Sequence, residues 1–293
     1  MASMKDVAKA ADVSIATVSR VLANKPNVRP EVRDRVLRVV GELNYRPNRV
    51  ASNLRRQTSD IIGLLVSDIR NPFFTDIARA IEDVAHSHDK RIFLCNTDED
   101  RHKERHYIAA LLDQNAAGII LSPTPSTATH YDTMLEDKTP LVIIDRRVPG
   151  LEADYVLSDN EASAYHLTKH LIERGATRIG AVFGLSGSST GQERRDGYEQ
   201  ALAEHQLQPL ATFVMPREDA AAAAVTEWLQ QTEQPNAILG GNLRITLGAL
   251  QAIHGAGLHI PGDILIAGFD ESPWLAFAGP GITTVSQPTY EMG

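Results

Sequence analysis

Two short amphipathic helices joined by a tight turn are predicted near the amino end of the chain, between Lys5 and Leu22. Ser14 stands at the N-cap position of the second helix. The apolar positions that recur at helical spacing are Val7, Ala8, Ala11, Val18, Val21 and Leu22. A third helix is predicted over residues 30–44, and its apolar face can close a three-helix core over the first two.

After residue 60 the pattern changes to short apolar runs that alternate with amphipathic stretches. The runs suit buried parallel strands and cover residues 61–66, 91–95, 118–121, 141–144, 178–183, 237–239 and 264–269. The helices predicted between them cover residues 74–86, 101–114, 161–174, 194–205, 220–229 and 242–253. This alternation predicts two doubly wound α/β lobes, at residues 59–159 and 160–285, whose ligands bind beyond the carboxyl ends of the strands.

Charge divides the chain at the same place. Residues 1–60 carry 12 Lys and Arg against 6 Asp and Glu, a net charge of +6, whereas the remainder carries 17 against 31, a net charge of −14. A small basic segment on an acidic body is typical of a protein that meets nucleic acid with one end only. A solvated basic face is the alternative, but it does not account for the helix pair inside the basic segment.

The helix pair has the composition of a helix-turn-helix, in which the second helix enters the major groove of DNA. Close approach to the groove needs small or hydroxyl side chains and at least one long hydrogen-bond donor. We expect the DNA-facing side chains to be Ser14, Ile15, Ala16, Thr17, Ser19 and Arg20. The alternatives are a surface helical hairpin in an ordinary domain and a nonspecific architectural DNA binder.

The segment that follows the third helix is short and polar. Between residues 48 and 54 the apolar residues are Val50, Ala51 and Leu54, which is too little apolar surface for a lone helix to be stable in water. We therefore expect this segment to become ordered when something covers it, or to serve as an interdomain linker.

Several motifs together resemble the lactose-repressor (LacI/GalR) family of bacterial transcription regulators. They run along nearly the whole chain and include KDVAKAADVSIATVSRVL, ELNYRPNRVASNL, IGLLVSDIRNPFF, DRRV, AILGGN, LGAL, IAGFD and ITTVSQP. The resemblance implies an all-α helix-turn-helix DNA-binding domain at residues 1–46 and a hinge at residues 47–58. It implies that residues 59–293 form a two-lobed, periplasmic-binding-protein-like α/β domain for effector binding and dimerisation. The function implied is that of a repressor controlled by a small effector, not of an enzyme.

In that family the hinge folds into a helix on operator DNA, where two hinges lie in the minor groove. The resemblance adds to the expected DNA-binding residues Tyr45, Asn48, Arg49, Ala51 and Leu54. Leu54 is suited to the role of wedge, because an apolar side chain can offset the cost of unstacking a base step. A homodimer on a pseudo-palindromic operator is also implied, since the two-fold symmetry of the protein imposes the symmetry of the site.

Members of the family close their two lobes on the effector. The positions that match the family's effector contacts are Phe73, Phe74, Asp145, Arg194, Asn242 and Asp270, and Arg146 is expected on a loop aimed at the same cleft. Aromatic faces beside carboxylate, guanidinium and amide groups suit a polyhydroxylated ligand, because each hydroxyl both donates and accepts.

Arginine is the feature that narrows the effector class. Arg146, Arg194 and Arg244 are expected near the cleft, and a planar guanidinium favours carboxylate or phosphate. Leu243 stands where many sugar-binding relatives carry Asp, so the site has one acceptor fewer. We expect a sugar acid such as gluconate or 2-ketogluconate. A neutral sugar or a purine is the alternative effector, and a sugar-binding module without a regulatory role is the alternative function.

Other chemistry is not indicated by the sequence. His102 and His106 lie four residues apart on a predicted helix, but no clear third zinc ligand accompanies them. The Gly/Ser-rich stretch at residues 184–191 lacks the Lys of a phosphate loop. We therefore expect no metal, no cofactor and no catalytic set.

The lone Cys95 lies in an apolar run, which favours a buried thiol in a reducing compartment. No run approaches the roughly 18–20 apolar residues of a membrane span, and the first residues lack a secretory signal, so a cytoplasmic location is expected. Because family members continue for several elements beyond the position of Gly293, we expect the C-terminal end to be missing here.

Overall fold

The computed structural model describes residues 2–22, 24–45, 59–125, 127–131, 139–278 and 280–293. The chain divides into two units, Met1–Thr58 and Ser59–Gly293. The predicted hinge at residues 47–58, with the candidate DNA-binding residues Asn48, Arg49, Ala51 and Leu54, lies outside the described residues.

The described residues of the first unit form three helices, α1 (Met4–Ala10), α2 (Ile15–Leu22) and α3 (Pro30–Glu42). The predicted N-cap of α2 is confirmed, because the Ser14 hydroxyl accepts a hydrogen bond from the backbone N–H of Thr17 at 3.1 Å. The apolar faces of the three helices meet in one core, formed by Val7, Ala8, Ala11, Val18, Val21, Val36, Val39 and Tyr45.

Tyr45 is a core residue and only 8% exposed. Asn44 takes a left-handed φ of 45° after the end of α3 and reverses the chain there. The backbone N–H of Tyr45 then donates to the carbonyl of Val40 at 3.0 Å. This turn directs the tyrosine ring back under the helices.

The second unit contains two five-stranded parallel sheets, which define a first and a second lobe. The strands of the first lobe are β1 (Ile61–Val66), β2 (Arg91–Asn96), β3 (Gly118–Leu121), β4 (Leu141–Ile144) and β5 (Asp154–Val156), in the order β2-β1-β3-β4-β5. Those of the second lobe are β6 (Ile179–Phe183), β7 (Leu210–Phe213), β8 (Ala237–Gly240), β9 (Leu265–Phe269) and β10 (Thr283–Val285), in the order β7-β6-β8-β9-β10. Counted along the chain, the two lobes therefore have the same strand order.

Helices cover both faces of each sheet, as doubly wound lobes require. They are α4 (Pro72–Ser87) and α5 (Arg101–Asp113) in the first lobe, and α6 (Asn160–Glu173), α7 (Ser189–Glu204), α8 (Glu218–Leu229) and α9 (Leu243–Gly255) in the second. Because helices lie on both faces, strands such as β6 and β8 are buried along their whole length and show continuous apolar runs. None of the helices in the described part of the chain is long and apolar enough to cross a membrane.

The hydrophobic pattern missed three strands, β5, β7 and β10. All three lie at a sheet edge and are only three or four residues long. None of their residues is fully buried, so they carry no continuous apolar run. An edge strand has a sheet neighbour on one side only, which explains both the exposure and the missing signal.

Helix α7 begins at Ser189, five residues before its predicted start. Ser, Thr and Gly favour loops in isolation, so the sequence predicts a loop over residues 189–193. In the structure the Gly191 backbone packs closely on the carbonyl of Leu185, where a Cβ would lie only 2.8 Å from the oxygen. Arg194 therefore lies on the second turn of a helix and not on a loop.

The chain crosses between the lobes twice. Residues 157–159 join β5 to α6, and residues 286–288 join β10 to a short helix, α10 (Thr289–Met292). Met292 packs in the first-lobe core with Phe74 and Ile77. The last residues of the chain therefore belong with the first lobe.

Glycines bring two helix pairs of the second lobe into backbone contact. A Cβ at Gly197 on α7 would overlap the carbonyl oxygen of Glu161 on α6. A Cβ at Gly248 on α9 would likewise overlap the carbonyl oxygen of Glu218 on α8. Both helix pairs thus pack at a distance that only glycine allows.

We expect Gly197→Ala to lower the free energy of unfolding of the second unit by about 1–3 kcal/mol, because the added methyl group overpacks this contact. Gly255→Ala is the matched control, since no atom lies within 4 Å of its new Cβ, and it should be neutral or stabilising by up to about 1 kcal/mol. Thermal unfolding of the two variants measures the difference. Equal melting temperatures would contradict the packing argument.

Candidate functional site

The carboxyl ends of strands from both lobes line one cleft, in which about 460 Å³ is not filled by atoms when the open solvent at its mouth is included. All seven residues expected to bind an effector line it, namely Phe73, Phe74, Asp145, Arg146, Arg194, Asn242 and Asp270. The other lining residues are Asn71, Gly184, Leu185, Ser188, Thr190, Gly191, Pro216, Gly241 and Gln287. Sequence and topology therefore bring the candidate residues to one place.

Asp145 and Asp270 occupy equivalent positions in the two lobes. Each follows the fourth strand of its sheet, and each takes a left-handed φ, of 69° and 70° respectively. The backbone N–H of Asp145 donates to Val156 at 3.0 Å, and that of Asp270 donates to Val285 at 3.0 Å. The same backbone bend thus ends both strands and sets a carboxylate from each lobe in the cleft wall.

The two carboxylates differ in their partners. Burial raises the pKa of Asp145 above its ordinary range, and the nearby Arg146 and Arg194 offset part of that rise. Asp270 accepts a hydrogen bond from Nε2 of Gln287 at 2.6 Å and one from the backbone N–H of Leu243 at 3.3 Å. Asp145 accepts a hydrogen bond from the Ser122 hydroxyl at 3.4 Å, and its Oδ2 lies 3.3 Å from Nε of Arg146. Both carboxylates therefore have partners in the protein, and both line the cleft.

Arg194 is held so that one end of its guanidinium faces the cleft. Its Nε donates to Oδ1 of Asn160 at 2.9 Å, and its Nη1 donates to the carbonyl of Gly241. The guanidinium carbon lies 4.0 Å from the centre of the Phe269 ring, at cation–π distance. Nη2 makes no hydrogen bond to any residue in the described ranges, which leaves it for a ligand.

Arg146 lines the cleft, but its guanidinium is already paired. Nη1 and Nη2 donate to the two carboxylate oxygens of Glu99 at 2.7 and 2.6 Å, and Nη1 also donates to the carbonyl of Pro123 at 3.0 Å. Burial opposes the charge on Arg146, but Glu99 and Asp145 raise its pKa above the ordinary value. Arg146 therefore closes the wall of the cleft and offers no free fork to an anion.

Arg244 does not line the cleft. It forms ion pairs with Glu218 and Asp68, and its side chain is only 7% exposed. Of the three arginines on which the expectation of an anionic effector rested, two are thus committed to carboxylates of the protein. The pattern of residues along the chain showed where these arginines lie but not which acids they meet.

A further buried carboxyl lies behind Arg146. Glu104 on α5 is fully buried and accepts hydrogen bonds from the Thr124 backbone at 2.7 Å and the Tyr131 hydroxyl at 3.0 Å. Burial raises its pKa. Around the cleft, the described residues therefore present more carboxyl groups than arginine side chains.

The aromatic wall comes from the start of α4. Asn71 caps this helix, because its Oδ1 accepts from the backbone N–H of Phe73 at 3.2 Å. The rings of Phe73 and Phe74 pack edge to face, with centroids 5.0 Å apart. The cap thus fixes an apolar surface beside the polar groups of the cleft.

Sequence reasoning missed several polar lining residues, namely Asn71, Ser188, Thr190 and Gln287. Gln287 follows β10, an edge strand that the pattern did not reveal. Ser188 and Thr190 lie in the Gly/Ser-rich stretch, whose position after β6 is the signal that could have identified them.

The candidate DNA-binding residues of α2 lie on the face opposite the core of the first unit. Val18 and Val21 point into that core. On the other side Ser14, Ile15, Ala16 and Arg20 are exposed, and Thr17 and Ser19 are partly buried. Ile15, at 44% exposure, is a large apolar side chain left in water, which favours contact with a partner surface.

Two family models match this chain. The model described as bacterial regulatory proteins, lacI family, matches residues 3–48. The model described as periplasmic binding proteins and sugar binding domain of LacI family matches residues 59–288. The two matches fall in the two structural units.

Comparison with individual proteins agrees with the two family matches. The ribose operon repressor of Halalkalibacterium halodurans is 37% identical, over 100% of this chain and 87% of the relative. The transcriptional repressor PurR of Aliivibrio salmonicida is 34% identical, over 100% of this chain and 89% of the relative. Among solved structures, the lac repressor dimer bound to operator and the anti-inducer ONPF has a TM-score of 0.86 at 25% identity, over 99% of this chain and 89% of that one.

Proposed function

Because this chain belongs to the LacI family of bacterial regulatory proteins, we propose that its cleft binds a neutral sugar and that this binding controls its contact with operator DNA. Its family is one of transcription regulators and not of enzymes. Membership of the family fixes the class of function. The choice of a neutral sugar rests on the chemistry of the cleft.

The observation that carries the proposal is the balance of charged groups around the cleft. Asp145 and Asp270 both line it, whereas the Arg146 fork is occupied by Glu99. A ligand carboxylate would add a negative charge beside Asp145, whose pKa burial already raises. Sugar hydroxyls would instead donate to these carboxylates, which relieves the cost of burying them.

The other lining groups support the same ligand class. Phe73, Phe74, Leu185 and Pro216 offer apolar surface for the C–H face of a sugar ring. Asn242, whose side chain also caps α9 by accepting from Ile245 at 2.8 Å, supplies an amide beside them. Since a relative with 37% identity is a ribose operon repressor, D-ribose is the first sugar to test.

A sugar acid is the second candidate, and the free Nη2 of Arg194 is the observation that favours it. One guanidinium nitrogen can bind one carboxylate oxygen, which is weaker than the bidentate pairing of a complete fork. A purine comes third, on the resemblance to PurR.

For the first unit, we propose that the exposed face of α2 reads the operator. Ile15, Ala16 and Arg20 are exposed on this face, so they would contact base edges and phosphates. The domain limits 1–46, 47–58 and 59–293 belong to this proposal, and the hinge would bring Asn48, Arg49, Ala51 and Leu54 to the minor groove. A homodimer on a pseudo-palindromic site follows from two-fold symmetry, as in the operator-bound lac repressor dimer.

The ligand class is tested by thermal shift and calorimetry with D-ribose, other neutral sugars, gluconate, 2-ketogluconate and purines. A ligand at about 100 times its Kd stabilises the fold by about 2.7 kcal/mol, which gives a visible shift. We expect a response to a neutral sugar and none to the acids. A response confined to gluconate or 2-ketogluconate would reject the neutral-sugar proposal.

The pH dependence of binding separates the two sugar classes further. A neutral sugar donates to ionised Asp145, so its affinity should rise with pH above the ordinary aspartate range of about 4 and level off beyond the raised pKa of Asp145. The affinity for a sugar acid should fall over the same interval, because ionised Asp145 repels it. Calorimetry from pH 5 to 8, at about constant ionic strength, measures both slopes, and Asp145→Asn should flatten either one.

Arg194 should be required for ligand binding. We expect Arg194→Lys to weaken D-ribose binding about tenfold or more, that is by at least about 1.4 kcal/mol, because an ammonium cannot bond Asn160, Gly241 and a ligand together. Arg195→Lys is the matched control, since the neighbouring Arg195 pairs with Glu199 on the outer side of α7. Equal losses in the two variants would rule out a specific role for Arg194.

The DNA-binding face can be tested on palindromic DNA selected from a random pool. We expect Arg20→Met to weaken binding by about 1–3 kcal/mol. Arg38→Met, which removes an exposed arginine from α3, should have a smaller effect. Gel-shift titrations of both variants on the selected and a scrambled duplex give the result. Equal wild-type affinity for the two duplexes would instead indicate an architectural DNA binder.

A further inference from the structure

Three charged side chains meet at the boundary between the two lobes. Arg244 comes from the start of α9, Glu218 from the start of α8, and Asp68 follows β1 of the other lobe. In sheet order, β1 lies three strands away from β5, where the chain leaves the first lobe. The contact between Arg244 and Asp68 therefore joins the lobes away from β5 and from the crossing segment at residues 157–159.

Glu218 fixes the direction of the arginine. Nε of Arg244 donates to Oε1 of Glu218 at 2.8 Å, and Nη2 bonds Oε2, so the acid occupies one edge of the guanidinium. The close approach of α9 to the Glu218 carbonyl at Gly248 holds the two helices together. Because both residues belong to the second lobe, this pair persists however the lobes are arranged.

Asp68 is the partner that depends on lobe arrangement. Its Oδ2 accepts from Nη1 of Arg244, across the boundary between the lobes. The two side chains are only 11% and 7% exposed, so the pair is largely removed from water. If the lobes separate, this contact breaks and both groups return to solvent, whereas the contact with Glu218 remains.

We propose that Asp68, Arg244 and Glu218 form an interlobe latch, in which Glu218 aims Arg244 at Asp68 and the Asp68–Arg244 contact stabilises the closed arrangement of the lobes. A contact present in one arrangement and absent in the other shifts the population between them. Arg244 is thus a positioning residue for effector binding that does not touch the effector. This inference rests on the proposed function, in that the effector binds to the closed lobes.

Arg70 provides a matched control beside the latch. Its Nε donates to Oδ1 of Asp68 at 3.2 Å, but both residues lie in the first lobe, and the Arg70 side chain is 58% exposed. Arg70→Gln removes a positive charge from the same carboxylate and the longer-range attraction of Arg70 to Glu218, but it removes no interlobe hydrogen bond. If the charge beside Asp68 alone mattered, Arg70→Gln would change ribose affinity and interlobe distance as much as the latch variants do. If the interlobe contact matters, Arg70→Gln should have the ribose affinity and interlobe distance of the wild type.

The first measurement uses D-ribose and calorimetry on the full chain. We expect Asp68→Asn to weaken ribose binding about tenfold and Arg70→Gln to change it by less than about twofold. Arg244→Gln should weaken binding as well, and Asp68→Asn in the Arg244→Gln background should have little further effect, because the contact is already lost. Independent, additive losses would overturn the latch.

The second measurement needs no ligand. Spin labels at Glu82→Cys on α4 and Glu227→Cys on α8 report the distance between the lobes, in samples diluted with unlabelled chain. The native Cys95 does not interfere, since it is buried and burial raises its pKa to about 11. We expect Asp68→Asn to add a population at a changed distance, and Arg70→Gln to leave the distribution as in the wild type.

The two measurements separate the latch from the ligand proposal. If wild-type chain does not bind ribose, the neutral-sugar proposal loses its first candidate, and the distance distribution alone decides on the latch. An unchanged distribution in Asp68→Asn would overturn the latch, as would an equal change in Arg70→Gln. A changed distribution with unaltered ribose affinity would also overturn it, because closure would then not be linked to binding. Should Asp68→Asn not fold, Arg244→Gln replaces it in both measurements.

Discussion

Charged side chains that leave water between two lobes must find partners there, because an unpaired buried charge costs several kcal/mol or more. Arg146 meets this requirement with Glu99, and Arg244 meets it with Glu218 and Asp68. Arg194 meets it in part, with Asn160, Gly241 and the ring of Phe269. Nη2 of Arg194 has no partner among the described residues, and for that reason we propose Arg194, and not Arg146 or Arg244, as the arginine that binds the ligand.

The two lobes have the same backbone conformation at the cleft. Each sheet has the same strand order, and each fourth strand ends in an aspartate with a left-handed φ near 70°. Parallel strands all end at the same edge of their sheet, so two facing lobes bring these aspartates into one cleft. Each lobe therefore contributes one aspartate to the cleft, and the hydroxyl groups of the neutral sugar that we propose could donate to both.

The three arginines have different tasks although they lie close to one cleft. Arg146 pairs with Glu99 in the wall of the first lobe, Arg194 keeps one guanidinium nitrogen for the ligand that we propose, and Arg244 bonds Asp68 of the other lobe. A regulator needs the second and third tasks together, because ligand affinity and lobe arrangement must depend on each other. The same residue type serves all three, since a guanidinium keeps its charge when buried and bonds in fixed directions.

The resemblance to a known family indicated seven of the residues that line the cleft. The sequence pattern by itself determined the division into a basic helical unit and an acidic α/β unit, the central strands and the helices. These follow from hydrophobic period, from turn residues and from the rule that parallel strands share a carboxyl edge, all of which are local or topological. Tertiary structure decided the edge strands β5, β7 and β10, the earlier start of α7, the burial of Tyr45 and the partner of each arginine. Those features depend on contacts between residues far apart in the chain, as Arg244 and Asp68 are. A local sequence pattern does not predict which carboxylate an arginine will pair with.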